Sequence, residues 1–275
     1  MNKIVEKETL SENVAKLVIE APQIAQKQSP GQFVIVRIDE KGERIPLTIA
    51  AADKDQGTIT LIIQRIGTTS HKIISLDPGD RLLDVSGPLG RPTKIEKVGT
   101  VLACGGGVGI APLYPITRAF QIAGNRVITV LGARSKDLLI LEKEMAACSA
   151  EQIVMTDDGS YGKKGVITIG IEDVLKREAV NLVVTIGPAI MMEFVALLTK
   201  KYQVPTIASL NTIMVDGTGM CGACRVSVGG KTKFVCVDGP EFDAHEIDYD
   251  EMMKRLNTYK NEEKVSYQNY LQSLD

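Results

Sequence analysis

Tryptophan is absent, and aromatic residues make up 4% of the chain. Such a sequence offers few stacking platforms for single-stranded nucleic acid. Neither sign of charge prevails: 32 lysines and arginines stand against 34 aspartates and glutamates, a net charge of −2. That leaves no basic footprint for a nucleic-acid partner. Histidine occurs twice in 275 residues, and no serine–histidine–carboxylate arrangement is legible. No apolar run approaches the ~20 residues of a membrane span, and residues 1–8 (MNKIVEKE) lack the apolar core of a signal peptide. A cytoplasmic protein away from membranes is therefore expected. Cysteines number five, and an odd count argues against a disulfide framework.

Three of those cysteines share one stretch, with the spacing Cys221-x2-Cys224-x11-Cys236, and Asp216 stands four intervening residues before Cys221. A cysteine at Asp216 would make C-x4-C-x2-C…C, the plant-type 2Fe–2S ligand pattern. Gly217, Gly219, Gly222 and Ala223 carry little bulk, so the backbone can wrap a small inorganic core and adopt the positive φ values of tight loops. Asp216, Cys221, Cys224 and Cys236 are thus candidate metal ligands. Zinc also accepts three thiolates and a carboxylate, and the plainest reading is three structural thiols. Cys104 and Cys148 are expected as buried thiols elsewhere.

The rest of the chain divides into two patterns. Residues 1–96 read as short β-branched runs at 14–20, 33–38, 58–64 and 81–85, separated by clusters such as Ser29-Pro30-Gly31 and Asp77-Pro78-Gly79-Asp80. This suggests a small antiparallel barrel or sandwich. From 97 to 205, strands at 100–104, 127–132, 152–156 and 182–187 alternate with helices at 110–123, 136–148, 171–178 and 189–201, the signature of a covered parallel sheet. Residues 206–275 hold the cysteine loop and a polar tail, with a helix at 249–257. The fold class is α+β multidomain: an antiparallel β-barrel, an α/β parallel-sheet domain and a small C-terminal cluster segment.

The first strand of the second domain runs into Gly105-Gly106-Gly107-Val108-Gly109 and then a helix. Glycines there let a backbone approach a pyrophosphate, and the helix start supplies free N–H groups. Gly106, Gly107, Val108 and Gly109 are candidate nucleotide contacts, although the run is not G-x-G-x-x-G and a plain tight turn would look the same. Arg134, Asp157, Asp158, Gly187, Pro188 and Met191 follow later strand ends, where open α/β sheets bind ligands. Arg134 stands where an acidic residue would take a ribose hydroxyl, which leans towards NADP. In the barrel, Arg44-Ile45-Pro46-Leu47-Thr48 joins a bidentate anion donor to a rigid turn. Ile63-Gln64-Arg65-Ile66-Gly67-Thr68-Thr69-Ser70 ends in donors able to cradle a phosphate. His71, next in line, reads as structural or exposed.

Taken together, Arg44-x-Pro46-Leu47-Thr48, the Gly105–Gly109 run with Ile110-Ala111-Pro112, Gly187-Pro188-x-x-Met191 and the cluster loop resemble the ferredoxin–NADP reductase superfamily over nearly the whole chain. Within it, the chain is similar to the branch that includes the electron-transfer subunit of dihydroorotate dehydrogenase B. The tail 236–245 (CVDGPEFDAH) and Asp216 look most like the small subunits of electron-bifurcating ferredoxin:NADP oxidoreductases. The resemblance implies an oxidoreductase subunit with FAD in the 1–96 barrel. Arg44, Gly67, Thr68 and Thr69 would hold the pyrophosphate, and Pro46, Leu47 and Thr48 would line the isoalloxazine, Thr48 near N5. It implies NAD(H), against the NADP leaning of Arg134, stacked near Gly187 and Pro188 of a 97–205 NAD(P)-binding domain. Asp216 and the three cysteines would hold a 2Fe–2S cluster. No catalytic acid or base is required. A larger flavin and iron–sulfur subunit would complete a heterodimer, with ferredoxin reached through it. The alternatives are the dihydroorotate dehydrogenase B subunit itself (expected to have a fourth cysteine at Asp216), a simple NAD(P)H reductase, and a zinc-stabilised nucleotide-binding regulator.

Overall fold

The computed structural model describes residues 2–274. Seven strands form the first sheet: β1 (Asn2–Ser11), β2 (Val14–Glu20), β3 (Phe33–Arg37), β4 (Arg44–Asp53), β5 (Thr58–Gln64), β6 (Arg81–Leu82) and β7 (Asp84–Leu89). They run antiparallel in the order β6-β1-β2-β5-β4-β3-β7. The outermost strands, β6 and β7, are neighbours in sequence, so the sheet curls into a nearly closed barrel. Alternation fills it: Leu17 and Ile19 of β2 and Ile59, Leu61 and Ile63 of β5 point into one core, as the two-residue period of a strand requires. Two short helices, α1 (Pro22–Lys27) and α2 (Thr68–Ser75), flank the barrel.

β4 holds the Arg44–Thr48 motif, which reads as a turn because of its proline. Residues 44–48 pair with β3, and pairing with β5 begins only at Ile49. Pro46 therefore lies where one side of the strand has no ladder to serve, a position that tolerates a missing N–H. The stretch after Gly67, read as a loop, is the first turn of α2.

The second sheet has the order β11-β10-β9-β8-β12-β13-β16. It comprises β8 (Thr100–Gly106), β9 (Arg126–Ala133), β10 (Glu151–Thr156), β11 (Lys163–Lys164), β12 (Leu182–Ile186) and β13 (Thr206–Ser209), all parallel, with antiparallel β16 (Glu241–Asp243) on its edge. Its helices are α3 (Ile110–Ile122), α4 (Glu142–Ala147), α5 (Ile167–Arg177) and α6 (Ala189–Lys201). β8 is buried on both faces. Val101 and Ala103 pack with α3 and with Val14, Ala50 and Ile62 of the barrel, whereas Leu102 and Cys104 face α5. α3 is thus wedged between sheet and barrel. The helix expected over 136–148 is shortened to α4 because Leu141 takes a left-handed φ of 54°, and α5 starts four residues earlier than its sequence pattern suggests.

Both β13 and β16 come from residues beyond 205. Between them lies the hairpin β14 (Arg225–Val228) and β15 (Lys231–Phe234). Its two-residue loop, Gly229-Gly230, has φ of 56° and 70°, the type I′ geometry that matches strand twist. The chain ends in α7 (Val235–Asp238), α8 (Tyr249–Leu256) and α9 (Lys260–Gln272).

One half-buried carboxyl joins the two sheets. Glu241 of β16 accepts a hydrogen bond from the Thr93 hydroxyl at 2.6 Å and lies against Gly31 of the barrel. Burial pushes its carboxyl up from 4.5 to about 7, because a charge there loses its hydration. Below about pH 4.5 the group is neutral in folded and unfolded chains alike. Between about 4.5 and 7 the unfolded chain releases its proton and the folded chain keeps it, so stability falls as pH rises and the loss is complete above about 7. Glu241→Gln keeps an acceptor for Thr93 without the charge. Thermal melts should show the variant several degrees more stable than wild type at pH 8 and equal to it at pH 4. Equal melting temperatures at pH 8 would remove the case for a half-buried ionised Glu241.

Candidate functional site

The first corner of the site is the end of the barrel. Arg44 opens β4 with its side chain exposed and, among the described residues, in no ion pair. Gly67 precedes α2, and a Cβ on it would meet nothing within 4 Å, so this glycine borders open space. The Ser70 hydroxyl accepts the Ile66 and Gly67 N–H groups at 3.0 Å each and donates to the Gly67 carbonyl, which fixes the turn. The N–H groups that open a helix lack intrahelical partners, and here they belong to Thr68 and Thr69. Thr69 is buried, and its hydroxyl donates to Glu43 at 2.7 Å. Arg65 is engaged locally, bonding the Asn13 side chain and the Glu12 carbonyl, and the Ile63 side chain lies in the barrel core. Gln64 ends β5, half-buried. Pro46, Leu47 and Thr48 line β4 as half-buried residues.

The second corner is the strand-to-helix turn of the second sheet. Gly107 has φ of 56° and open space where a Cβ would be. The neighbouring glycines serve packing instead. A Cβ on Gly109 would come within 2.5 Å of the Ile186 carbonyl, and one on Gly106 would collide with Met191. Gly106, Gly109, Gly187 and Met191 therefore form one close-packed junction between β8 and β12, with Pro188 exposed beside it and Val108 packed towards the barrel. Arg134, Asp157 and Asp158 are exposed on the adjacent strand ends. The Asp157 N–H donates to Ala133 and the Asp158 N–H to Arg134. Hydrogen bonds from Ser160 hold the Asp158 carboxyl below its ordinary value.

The third corner is the cysteine loop. The eleven residues between Cys224 and Cys236 are the β14–β15 hairpin plus Val235. Pairing Arg225 with Phe234 brings the two cysteines together, with their Sγ atoms 3.2 Å apart and the Val235 N–H on the Cys224 carbonyl. Both are buried, and burial, then the Cys224 hydrogen bond, pushes the Cys236 thiol up. Cys221 is exposed at the loop tip. The Asp216 carboxylate accepts the Thr218 and Cys221 N–H groups at 2.9 Å each, which holds it below the usual carboxylate range. Gly217, Gly219 and Gly222 all have positive φ. Among the described residues, no three His, Cys, Asp or Glu side chains converge as a metal site. Of the four candidate ligands, Cys224 and Cys236 meet, while Asp216 reaches Cys221 through the backbone. Cys104 and Cys148 are buried in the second domain.

The corners adjoin. A Cβ on Gly217 would strike Leu89 and Ile35 at 2.6 and 3.0 Å, and Ile35 is the ladder partner of Pro46. The cysteine loop thus rests one strand away from Pro46, Leu47 and Thr48. Arg91 strengthens the junction by bonding the Val237 carbonyl and pairing with Asp238. Sequence reasoning missed Glu43, Thr93, Glu241 and the Leu89–Gly217 contact. None carries a local signal, because each acts only through a partner remote in the chain.

Residues 2–93 match the family described as oxidoreductase FAD-binding domain, and residues 211–248 match the iron–sulfur cluster binding domain of dihydroorotate dehydrogenase B. A dihydroorotate dehydrogenase B (NAD(+)) electron transfer subunit homolog from Thermotoga maritima is 48% identical, covering 99% of this chain and 96% of its own. The electron transfer subunit of that enzyme from Geobacillus thermodenitrificans is 34% identical over 89% of this chain and 96% of its own. A structure of an NADH-dependent reduced ferredoxin–NADP oxidoreductase, solved for insight into flavin-based electron bifurcation, superposes with a TM-score of 0.94 at 47% identity, covering 98% of both chains. A ferredoxin NADP+ reductase from Neisseria gonorrhoeae shares the fold, with a TM-score of 0.58 at 18% identity over 73% of this chain and 90% of its own.

Proposed function

The chain belongs to the family of dihydroorotate dehydrogenase B electron-transfer subunits within the ferredoxin–NADP reductase superfamily, and on that premise we propose that it moves electrons between NAD(H), FAD and a 2Fe–2S cluster towards a larger flavin and iron–sulfur subunit of an electron-bifurcating ferredoxin:NADP oxidoreductase. When bound, the cofactors supply the hydride and single-electron chemistry, and the protein supplies position and electrostatics. The observation that carries the reading is the contact of the cysteine loop with β3 and β7, beside the strand that would line the flavin.

The flavin and nucleotide ends have room for these groups. Gly67 and Gly107 each border a space that a Cβ would fill. Arg44, with no ion pair of its own among the described residues, would clamp the FAD pyrophosphate together with the Thr68 and Thr69 N–H groups. Pro46, Leu47 and Thr48 would line the flavin ring, and Thr48 would present its hydroxyl to it. Gly106, Gly107 and Val108 would let the nucleotide approach, with Gly187 and Pro188 beside the nicotinamide. Asp216, Cys221, Cys224 and Cys236 would hold the cluster. The barrel up to residue 96, the sheet domain from 97 to 205 completed by β13 and β16, and the remainder would carry FAD, nucleotide and cluster in turn. NAD(H) is preferred because the relatives are named for NAD(+) and NADH, and the lone exposed Arg134 does not outweigh that. Ferredoxin would be reached through the larger subunit of the heterodimer.

The test is the composition of the chain purified without oxygen. We expect one FAD and two irons per chain, with a flavin and iron–sulfur visible spectrum. A colourless preparation that contains zinc would sink the electron-transfer reading in favour of a zinc-stabilised nucleotide binder.

A further inference from the structure

Resting on the placement of FAD at α2, we propose that the C-terminal helix α9 is a strap that clamps α2 and slows release of the flavin. Three residues of α9 meet α2. Ser266 lies 3.4 Å from the Thr68 hydroxyl, and the Tyr267 hydroxyl lies 3.1 Å from His71 Nδ1. Tyr267 and Tyr270 both meet the His71 ring edge-on, at centroid distances of 5.9 and 5.3 Å. The Lys72 ammonium lies over the Tyr270 ring at 5.5 Å. Among the described residues, every side-chain hydrogen bond from α9 to the rest of the chain ends on α2.

The strap acts where the anion cradle begins. Thr68 is the first residue of α2, directly after Gly67. The contacts at Thr68, His71 and Lys72 run along one face of α2, so α9 resists fraying or tilting of the helix whose first N–H groups would hold the pyrophosphate. Donors fixed before binding give up less freedom when they bind. α9 itself buries no residue, and a 13-residue helix without packing is marginal in water. Its order therefore depends on this docking against α2. Burial and the Arg65 guanidinium hold His71 below the ordinary imidazole range, and its Nδ1 faces the Tyr267 hydroxyl.

The experiment uses the full chain and follows FAD release after dilution by recovery of free-flavin fluorescence. Tyr267→Phe combined with Tyr270→Ala is expected to speed release about tenfold, the scale set by removing one hydrogen bond and one aromatic pair. Tyr270→Phe alone keeps the ring and is expected to release flavin at the wild-type rate. Melting temperature and iron content should stay unchanged in all variants, because α9 contributes nothing to the core. Unchanged release in the double variant would overturn the strap while leaving FAD binding intact. Release by Tyr270→Phe as rapid as that of the double variant would overturn the edge-on ring packing as its basis. A wild-type chain that takes up no FAD would overturn the placement of the flavin and the strap with it.

Discussion

Cys236→Ala is expected to strip the chain of iron while leaving its flavin in place. Cys236 is 1% exposed and faces Cys224 across 3.2 Å, so neither water nor another side chain can replace the missing thiolate. Supporting interactions alone change metal affinity by about 10–100-fold, and removal of a ligand should exceed that. Iron analysis should fall to background, and passage of electrons from NADH to a one-electron acceptor should drop by more than about 100-fold. Reduction of the bound flavin by NADH should persist, because the barrel core packs apart from the cysteine loop, which takes only Phe33, Ile35 and Leu89 from the barrel. Cys104→Ser and Cys148→Ser are the controls. Cys104 is sealed in the second sheet, with burial raising its thiol, and the Cys148 thiol bonds helix carbonyls. Both should retain full iron. Asp216→Cys separates ligand from scaffold: a retained cluster with a shifted EPR spectrum identifies residue 216 as a ligand. An unchanged spectrum would leave its two backbone hydrogen bonds as the whole role of Asp216.

Much of this arrangement is legible in the chain, and the rest fails for identifiable reasons. The parallel strands are continuous apolar runs because both their faces are covered, as in β8. β4 escapes detection because its proline argues for a turn, and only the one-sided ladder around it makes that proline harmless. β1 alternates charged and apolar residues too irregularly to stand out, and it is held by a long ladder to β2. α9 lacks any apolar period, since it docks through Ser266, Tyr267 and Tyr270 and not through a buried stripe. The cluster spacing is readable as ligand chemistry, yet the hairpin that fills its eleven residues follows from Gly229-Gly230, a turn signal overshadowed by the cysteines. The seam between loop and barrel depends on Leu89 and Gly217, which lie far apart in the chain, and no local pattern encodes such a pair.

The tightest part of that architecture should also be the least forgiving. Gly109→Ala is expected to damage nucleotide use and stability together. Gly109 has φ of −62°, a value alanine adopts freely, so backbone strain is not the issue. The new Cβ would lie 2.5 Å from the Ile186 carbonyl oxygen and 2.8 Å from Gly187 Cα. Both are backbone atoms at the end of β12, and neither can rotate aside as a side chain could. The junction must open, at a cost of about 1–3 kcal/mol for an overpacked site. Opening carries Gly187 and Pro188 away from Gly106 and Gly107, so the apparent affinity for NADH should fall at least about tenfold. Gly107→Ala poses the converse case. Its Cβ would meet nothing, but its φ of 56° costs alanine about 1–2 kcal/mol, and the methyl group would project into the space proposed for the nucleotide. Stopped-flow reduction of the flavin by NADH, set beside thermal melts, distinguishes the two. Gly109→Ala should lower both melting temperature and nucleotide affinity with FAD content intact. A Gly109→Ala chain with wild-type melting and wild-type NADH affinity would mean that the β8–β12 junction does not shape the nucleotide site.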